Sequence, residues 1–164
     1  MKQGRTSEAI DLIEKEEPMV GKIEKYNIRL KCLKIAALAF QGDTTKLHKE
    51  LPPAFTKYSN EAKYFFLFYY AIYFFLAGQI PAAIRELDNF AIVLKKQPSV
   101  ETTALQPIIR FLKQYFLLQQ QMDIDKQTDG LTRLRMDMNN YKREATVAYR
   151  GYLPLLWLEG RMDD

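Results

Sequence analysis

The chain has 164 residues, 48% apolar and 13% aromatic, enough to build the core of one ordinary domain and too apolar for a disordered segment. Its formal charge of +4 is spread, not clustered: Lys25, Arg29, Lys31 and Lys34 lie among Glu14, Glu16, Glu17 and Glu24, and Arg133, Arg135, Lys142 and Arg143 among Asp137 and Glu144, which reads as a mixed solvated surface and argues against a nucleic-acid contact. One cysteine, Cys32, excludes an internal disulfide and a cysteine metal cluster, and Met1–Glu8 lacks the apolar run of a secretory signal.

In chain order, Ala9, Ile10, Leu12 and Ile13 predict a first helix over about Thr6–Glu16, closed by Pro18 and Gly21. Ile28, Cys32, Ile35, Ala36, Ala39 and Phe40 form one apolar stripe of a second helix over about Lys25–Phe40, ended by Gly42, and Cys32 on that stripe reads as a small buried hydrophobe. Asp43, Thr44 or Thr45 caps a third helix that Pro52-Pro53 must terminate. The stretch Tyr64–Ala77 is apolar all round. It is bounded by Glu61, Lys63 and Gly78-Gln79 and falls short of the roughly 20 residues that a membrane span requires, so it predicts a buried helix and no span.

A fifth helix is expected over about Pro81–Lys95, with Ala83, Ile84, Leu87, Phe90, Ala91 and Leu94 on one face. A sixth is expected over about Gln106–Gln121, with Pro107 in its first turn. Asp123–Gly130 reads as a loop, followed by a weakly apolar helix over about Leu131–Tyr141. A last helix over about Glu144–Glu159 should be bent or broken by Gly151 and Pro154. No stretch alternates with a period of two, so the fold class is all-α.

A phrase recurs. Gln3-Gly4-Arg5-Thr6-Ser7-Glu8-Ala9-Ile10 is echoed by Ala77-Gly78-Gln79-Ile80-Pro81-Ala82-Ala83-Ile84, and its first half by Gln41–Thr45 and Glu159–Asp164. The glycines at 4, 42, 78 and 160 stand 38, 36 and 82 residues apart, the last gap spanning two periods, as expected of stacked helical hairpins. The phrase begins and ends the chain, which predicts truncated end units and a piece of a longer array. Phe68–Ile84 resembles a tetratricopeptide repeat: Ala71 stands for the small residue of helix A, Gly78 for the turn glycine, Ile80 for the apolar residue two later, and Ala83-Ile84 for the Ala-Ile of helix B. Gly4, Thr6, Ala9 and Ile10 resemble the second half of such a unit. Lys46 near the small position of the second unit, and Gln119-Gln120-Gln121 in place of a glycine turn in the third, depart from the pattern.

The resemblance implies one domain over residues 1–164, a right-handed solenoid of about four antiparallel hairpins. It also implies a concave groove lined by helices A, comprising Arg29 and Leu33, then Phe65, Tyr69 and Ile72, then Phe111 and Tyr115, then Arg150. The expected activity is binding of a protein or peptide segment, in the cytoplasm and without cofactor. A peptide-sensing domain of a bacterial transcription regulator, similar to the Rgg and PlcR type, and a self-assembling unit that pairs two chains are the alternatives. Catalysis has little support. His48, the one histidine, stands beside Lys49 and Glu50 on a polar stretch, and Asp123, Asp125 and Asp129 lack the glycine and the final glutamate of a calcium loop.

Overall fold

Glycine turns and polar caps punctuate a chain whose apolar residues recur at helical spacing. The computed structural model describes residues 3–20 and 24–163, and among them regular structure is helical throughout, with no strand. The chain divides into two compact units, Met1–Gly78 and Gln79–Asp164, each with its own core.

In the first unit, α1 (Gln3–Val20) and α2 (Glu24–Gln41) run antiparallel. Gln41 Nε2 donates to Ser7 Oγ at 2.9 Å, and Lys34 meets Glu14 and Glu17, which fixes that direction. Helix α1 does not stop at Pro18 but carries it inside the last turn, where the missing N–H costs one ladder bond while packing against α2 continues. The closing role expected of Gly21 lies outside the described residues. Gly42 ends α2 as foreseen. Its φ is +74°, its N–H donates to the Ala39 carbonyl and that of Asp43 to the Leu38 carbonyl, the paired bonds of a Schellman stop. Asp43 then caps α3 (Thr44–Glu50), its Oδ1 accepting from the Lys46 N–H at 3.0 Å.

After the irregular segment around Pro52-Pro53, Ser59 caps α4 (Asn60–Leu76). Phe66, Phe68, Tyr69, Ala71 and Ile72 of α4 are sealed from solvent, and Phe55 and Tyr58 from the preceding segment pack their rings on Phe66. The tyrosine hydroxyl at position 70 donates to the Pro52 carbonyl at 2.8 Å. The segment read as buried all round is interior along most of its length, while Tyr73–Leu76 are half-buried. No helix among the described residues is long and apolar enough to cross a membrane. Helix α2 is the hub of this unit: it packs on α1, α3 and α4, and residues 34–39 are buried on every side.

In the second unit, α5 (Ile80–Lys96) opens with Pro81 in its first turn and buries Ala83, Leu87, Phe90 and Leu94, one face at helical spacing. Helix α6 (Val100–Leu118) begins six residues earlier than the sequence reading placed it. The cause is a capping box. Ser99 Oγ accepts from the Thr102 N–H at 3.1 Å and Thr102 Oγ1 accepts from the Ser99 N–H at 2.7 Å, so nucleation occurs there and Pro107 sits in the interior.

The expected loop at Asp123–Gly130 is likewise helical. Asp123 caps α7 (Ile124–Glu144) through the Lys126 N–H, and Gly130 is carried within it, facing the tip of the Leu118 side chain of α6. The last expected helix is broken where foreseen, into α8 (Val147–Arg150) and α9 (Leu153–Asp163), with Pro154 at the start of α9. Helix α6 is the hub, packed on α5, α7 and α9. Lys113–Asp88 at 2.6 Å sets α5 antiparallel to α6, and Gln127 Nε2 on the Leu118 carbonyl sets α7 antiparallel to α6.

Of the four phrase glycines, Gly42 and Gly78 are turn residues with φ of +74° and +75°, whereas Gly4 and Gly160 lie inside α1 and α9. The division between the units falls at Gly78/Gln79, within the stretch that best resembles a repeat, so that α4 belongs to one unit and α5 to the other. Ala83 is fully buried on the α5 face that meets α6. Substituting Ala83→Phe should overpack that contact and cost about 1–3 kcal/mol, read as a thermal midpoint lower by roughly ten degrees; an unchanged midpoint would mean that the α5–α6 contact is looser than drawn.

Candidate binding cleft

The eight residues expected to line a groove separate by burial. Phe65, Tyr69 and Ile72 are interior to the first unit, and Tyr69 and Ile72 have no exposed surface. Phe111 and Tyr115 are interior to the second, Tyr115 standing edge-on to Trp157 at 6.4 Å. The resemblance puts these five on the inner faces of successive helices A; in α4 and α6 those faces are covered by neighbouring helices, and Phe111, 1% exposed, only backs a cleft beside α6. Arg29 and Leu33 are exposed on α2, together with Tyr26 one or two turns before, a stripe at i, i+3 and i+7. Arg150 is exposed but already engaged: its Nε donates to the Ala145 carbonyl at 2.7 Å and its Nη2 to the Arg143 carbonyl, closing the C-terminus of α7.

One feature of the charge pattern is not a solvated surface. In the first unit Lys34 of α2 is almost enclosed, its side chain 11% exposed, and its Nζ lies 3.0 Å from Glu50, 3.3 Å from Glu14 and 3.7 Å from Glu17. Burial alone would lower the Lys34 pKa, but the hydrogen bonds and charges of Glu50, Glu14 and Glu17 outweigh it and hold the ammonium above the ordinary lysine value. One residue thereby ties α1, α2 and α3 together. Nearby, burial, with Glu61 adding, pushes the Cys32 thiol up to about 12, so this cysteine is a protonated packing group at neutral pH. His48 is exposed and stacks on Tyr73 with ring centroids 5.1 Å apart.

A cleft of about 510 Å³ lies between α6 and α7. One wall is Pro107, Arg110, Phe111 and Gln114; the other is Asp137, Asn140, Tyr141 and Glu144. Both sets follow i, i+3, i+4, i+7, so each helix gives one complete face to the cleft. The floor is aromatic. Phe111 and Tyr141 pack edge to face at 5.7 Å, and the Arg110 guanidinium lies over the Phe111 ring, 5.5 Å from its centroid.

Tyr141 is anchored by its hydroxyl, which donates to the Ala104 carbonyl at 2.8 Å, one turn before Pro107. Burial, then the neighbouring Tyr149, raises its pKa, so the hydroxyl stays a donor. Phe111 is the one expected groove residue that lines this cleft. Its partners on α7 escape the sequence reading, which ends the weakly apolar helix near Tyr141 and places Glu144 in the next one, whereas α7 continues to Glu144 and puts 137, 140, 141 and 144 on one face. A second recess, of about 310 Å³, lies between α7 and α9 and is crossed by the Arg135–Asp163 ion pair at 2.9 Å.

Such a cleft offers guanidinium, carboxylate, amide and ring surfaces over the length of two helical turns, the chemistry of recognition by contact. Comparisons with protein-family models, with curated proteins and with solved structures give no match to this chain.

Proposed function

We propose that this chain is a helical-repeat binding module of the tetratricopeptide type that recognises a peptide segment of another protein, with the α6–α7 cleft as its contact in the second unit. The observation that carries the reading is the half-buried Tyr141 ring, backed by Phe111, between charged and amide rims on both walls. Tyrosine and arginine supply large contact area with directional polar groups, the composition of interface hot spots. The glycine turns at 42 and 78 and the antiparallel pairs α1–α2 and α5–α6 support a hairpin-repeat origin.

Self-assembly is the second reading, favoured by Leu12 and Met19, which are exposed at i and i+7 on the outer side of α1.

A photo-crosslinking residue in place of Gln114, compared with the same residue in place of the exposed Met122, tests the first reading. Crosslinks from position 114 to one recurrent partner segment, absent from position 122, are expected. Equal crosslinking from both positions, or recovery of only this chain, would replace it by non-specific contact or by self-assembly.

A further inference from the structure

The charges of the cleft are unevenly satisfied. Elsewhere in the second unit Asp88, Asp123, Glu159 and Asp163 each hold a cation, at 2.6 Å to Lys113, 3.3 Å to Lys126, 2.6 Å to Lys142 and 2.9 Å to Arg135. Asp137 and Glu144, like Glu86, Asp125 and Asp129, form no ion pair with any described residue; what sets the two apart is that both stand on the cleft wall. Two turns separate them, about 10 Å along the helix axis, with Asn140 and Tyr141 between. Facing them, Arg110 is drawn down onto the Phe111 ring. The cleft is therefore net negative on a chain whose formal charge is +4.

From this we infer that the cleft takes an arginine side chain of a peptide segment, the guanidinium lying over Tyr141 between the carboxylates of Asp137 and Glu144. The inference rests on the peptide-binding reading and deepens it by naming the chemistry of the ligand. Arginine fits better than lysine, because a planar guanidinium can stack on a ring and still present its edge donors to a carboxylate, whereas an ammonium is a compact point charge that keeps its water. Asn140, between the two acids, adds an amide oxygen for the same fork or an amide N–H for a peptide carbonyl. Arg110 opposes the ligand in charge, so its effect should carry the reverse sign to that of the acids.

The test uses the full chain, labelled with nitrogen-15, titrated with acetyl-Gly-Arg-Gly-amide, its citrulline isostere and its glutamate analogue. The arginine peptide should shift amides around positions 110–114 and 137–144 saturably, and the citrulline peptide should bind at least about tenfold more weakly, since charge-assisted hydrogen bonds are roughly twice as strong as neutral ones. The double variant Asp137→Asn/Glu144→Gln, isosteric and at exposed positions, should fold unchanged and bind the arginine peptide at least tenfold more weakly; Arg110→Gln should bind it more tightly. Equal binding of citrulline, or unchanged binding by the double variant, overturns the inference. Cleft shifts with the glutamate peptide alone would also overturn it while leaving a peptide-binding cleft in place. Absence of cleft shifts with all three peptides would remove both readings together.

Discussion

Replacing Trp157 by alanine should cost the second unit about 3–5 kcal/mol, the range for deleting a fully enclosed large aromatic. The indole has no exposed surface, meets the Tyr115 ring edge-on at 6.4 Å and is covered by the Arg161 guanidinium 5.4 Å from its centroid. With Leu155 and Leu158 it is the attachment of α9 to α6. In urea, followed by circular dichroism, the midpoint of this unit should fall by about 2 M, given slopes of about 1–3 kcal/mol/M for domains of this size. Hydrogen exchange should show α9 amides losing protection first, because apart from this face α9 is held only by polar contacts from Arg135 and Lys142. Trp157→Phe, which keeps most of the volume, should recover more than half of the loss. A midpoint within a few tenths of a molar of the unmodified chain would mean that α9 is held by its ion pairs, Lys142–Glu159 and Arg135–Asp163, and not by its core.

Lys34→Met should destabilise the first unit by about 2–3 kcal/mol, somewhat below the 3–5 kcal/mol typical of breaking a fully buried pair, because Glu14, Glu17 and Glu50 remain partly wet. The loss comes less from the missing attraction than from three carboxylates left facing one another. Glutamine at all three positions in the Lys34→Met background should therefore restore stability. The pH dependence follows from the raised pKa of Lys34 in the folded chain. Folding favours the protonated form, so the contribution is fully present below the unfolded value of about 10.4 and is lost as pH rises through the higher folded value. The difference in stability between the unmodified chain and Lys34→Met should be flat through neutral pH and shrink only above about pH 10.5. A gap that closed already near pH 8 would contradict the assignment of the cation to this site.

Much of the fold was legible because its signals are local. The Gly42 stop, the Asp43 cap, the Pro81 start and the break at Gly151 each depend on residues within a turn of one another. The errors also have local causes, in which a strong breaker was weighed above a cap. Pro107 reads as a first-turn proline although Ser99 and Thr102 make a better start, and Gly130 as a loop residue although Asp123 can cap a helix that runs through it. Burial was harder to read, since a helical face shows which residues are apolar but not how many neighbours cover them. Tyr69 and Tyr115, which the repeat resemblance puts in a groove, are inside. Lys34, placed among solvated charges, is enclosed by acids 20, 17 and 16 residues away in sequence, a distance no local pattern reveals. The cleft is hidden from the sequence for the same reason: Asp137 and Glu144 gain meaning only when α7 lies along α6.

The sole tryptophan of the chain sits in the core of its second unit. Indole emission, excited selectively over the ten tyrosines, is consequently silent about residues 3–78 and reports one half of the molecule alone. Ellipticity sums over both halves. Coincident emission and ellipticity curves would show the halves melting as one cooperative body, and separated curves would show two bodies sharing a chain.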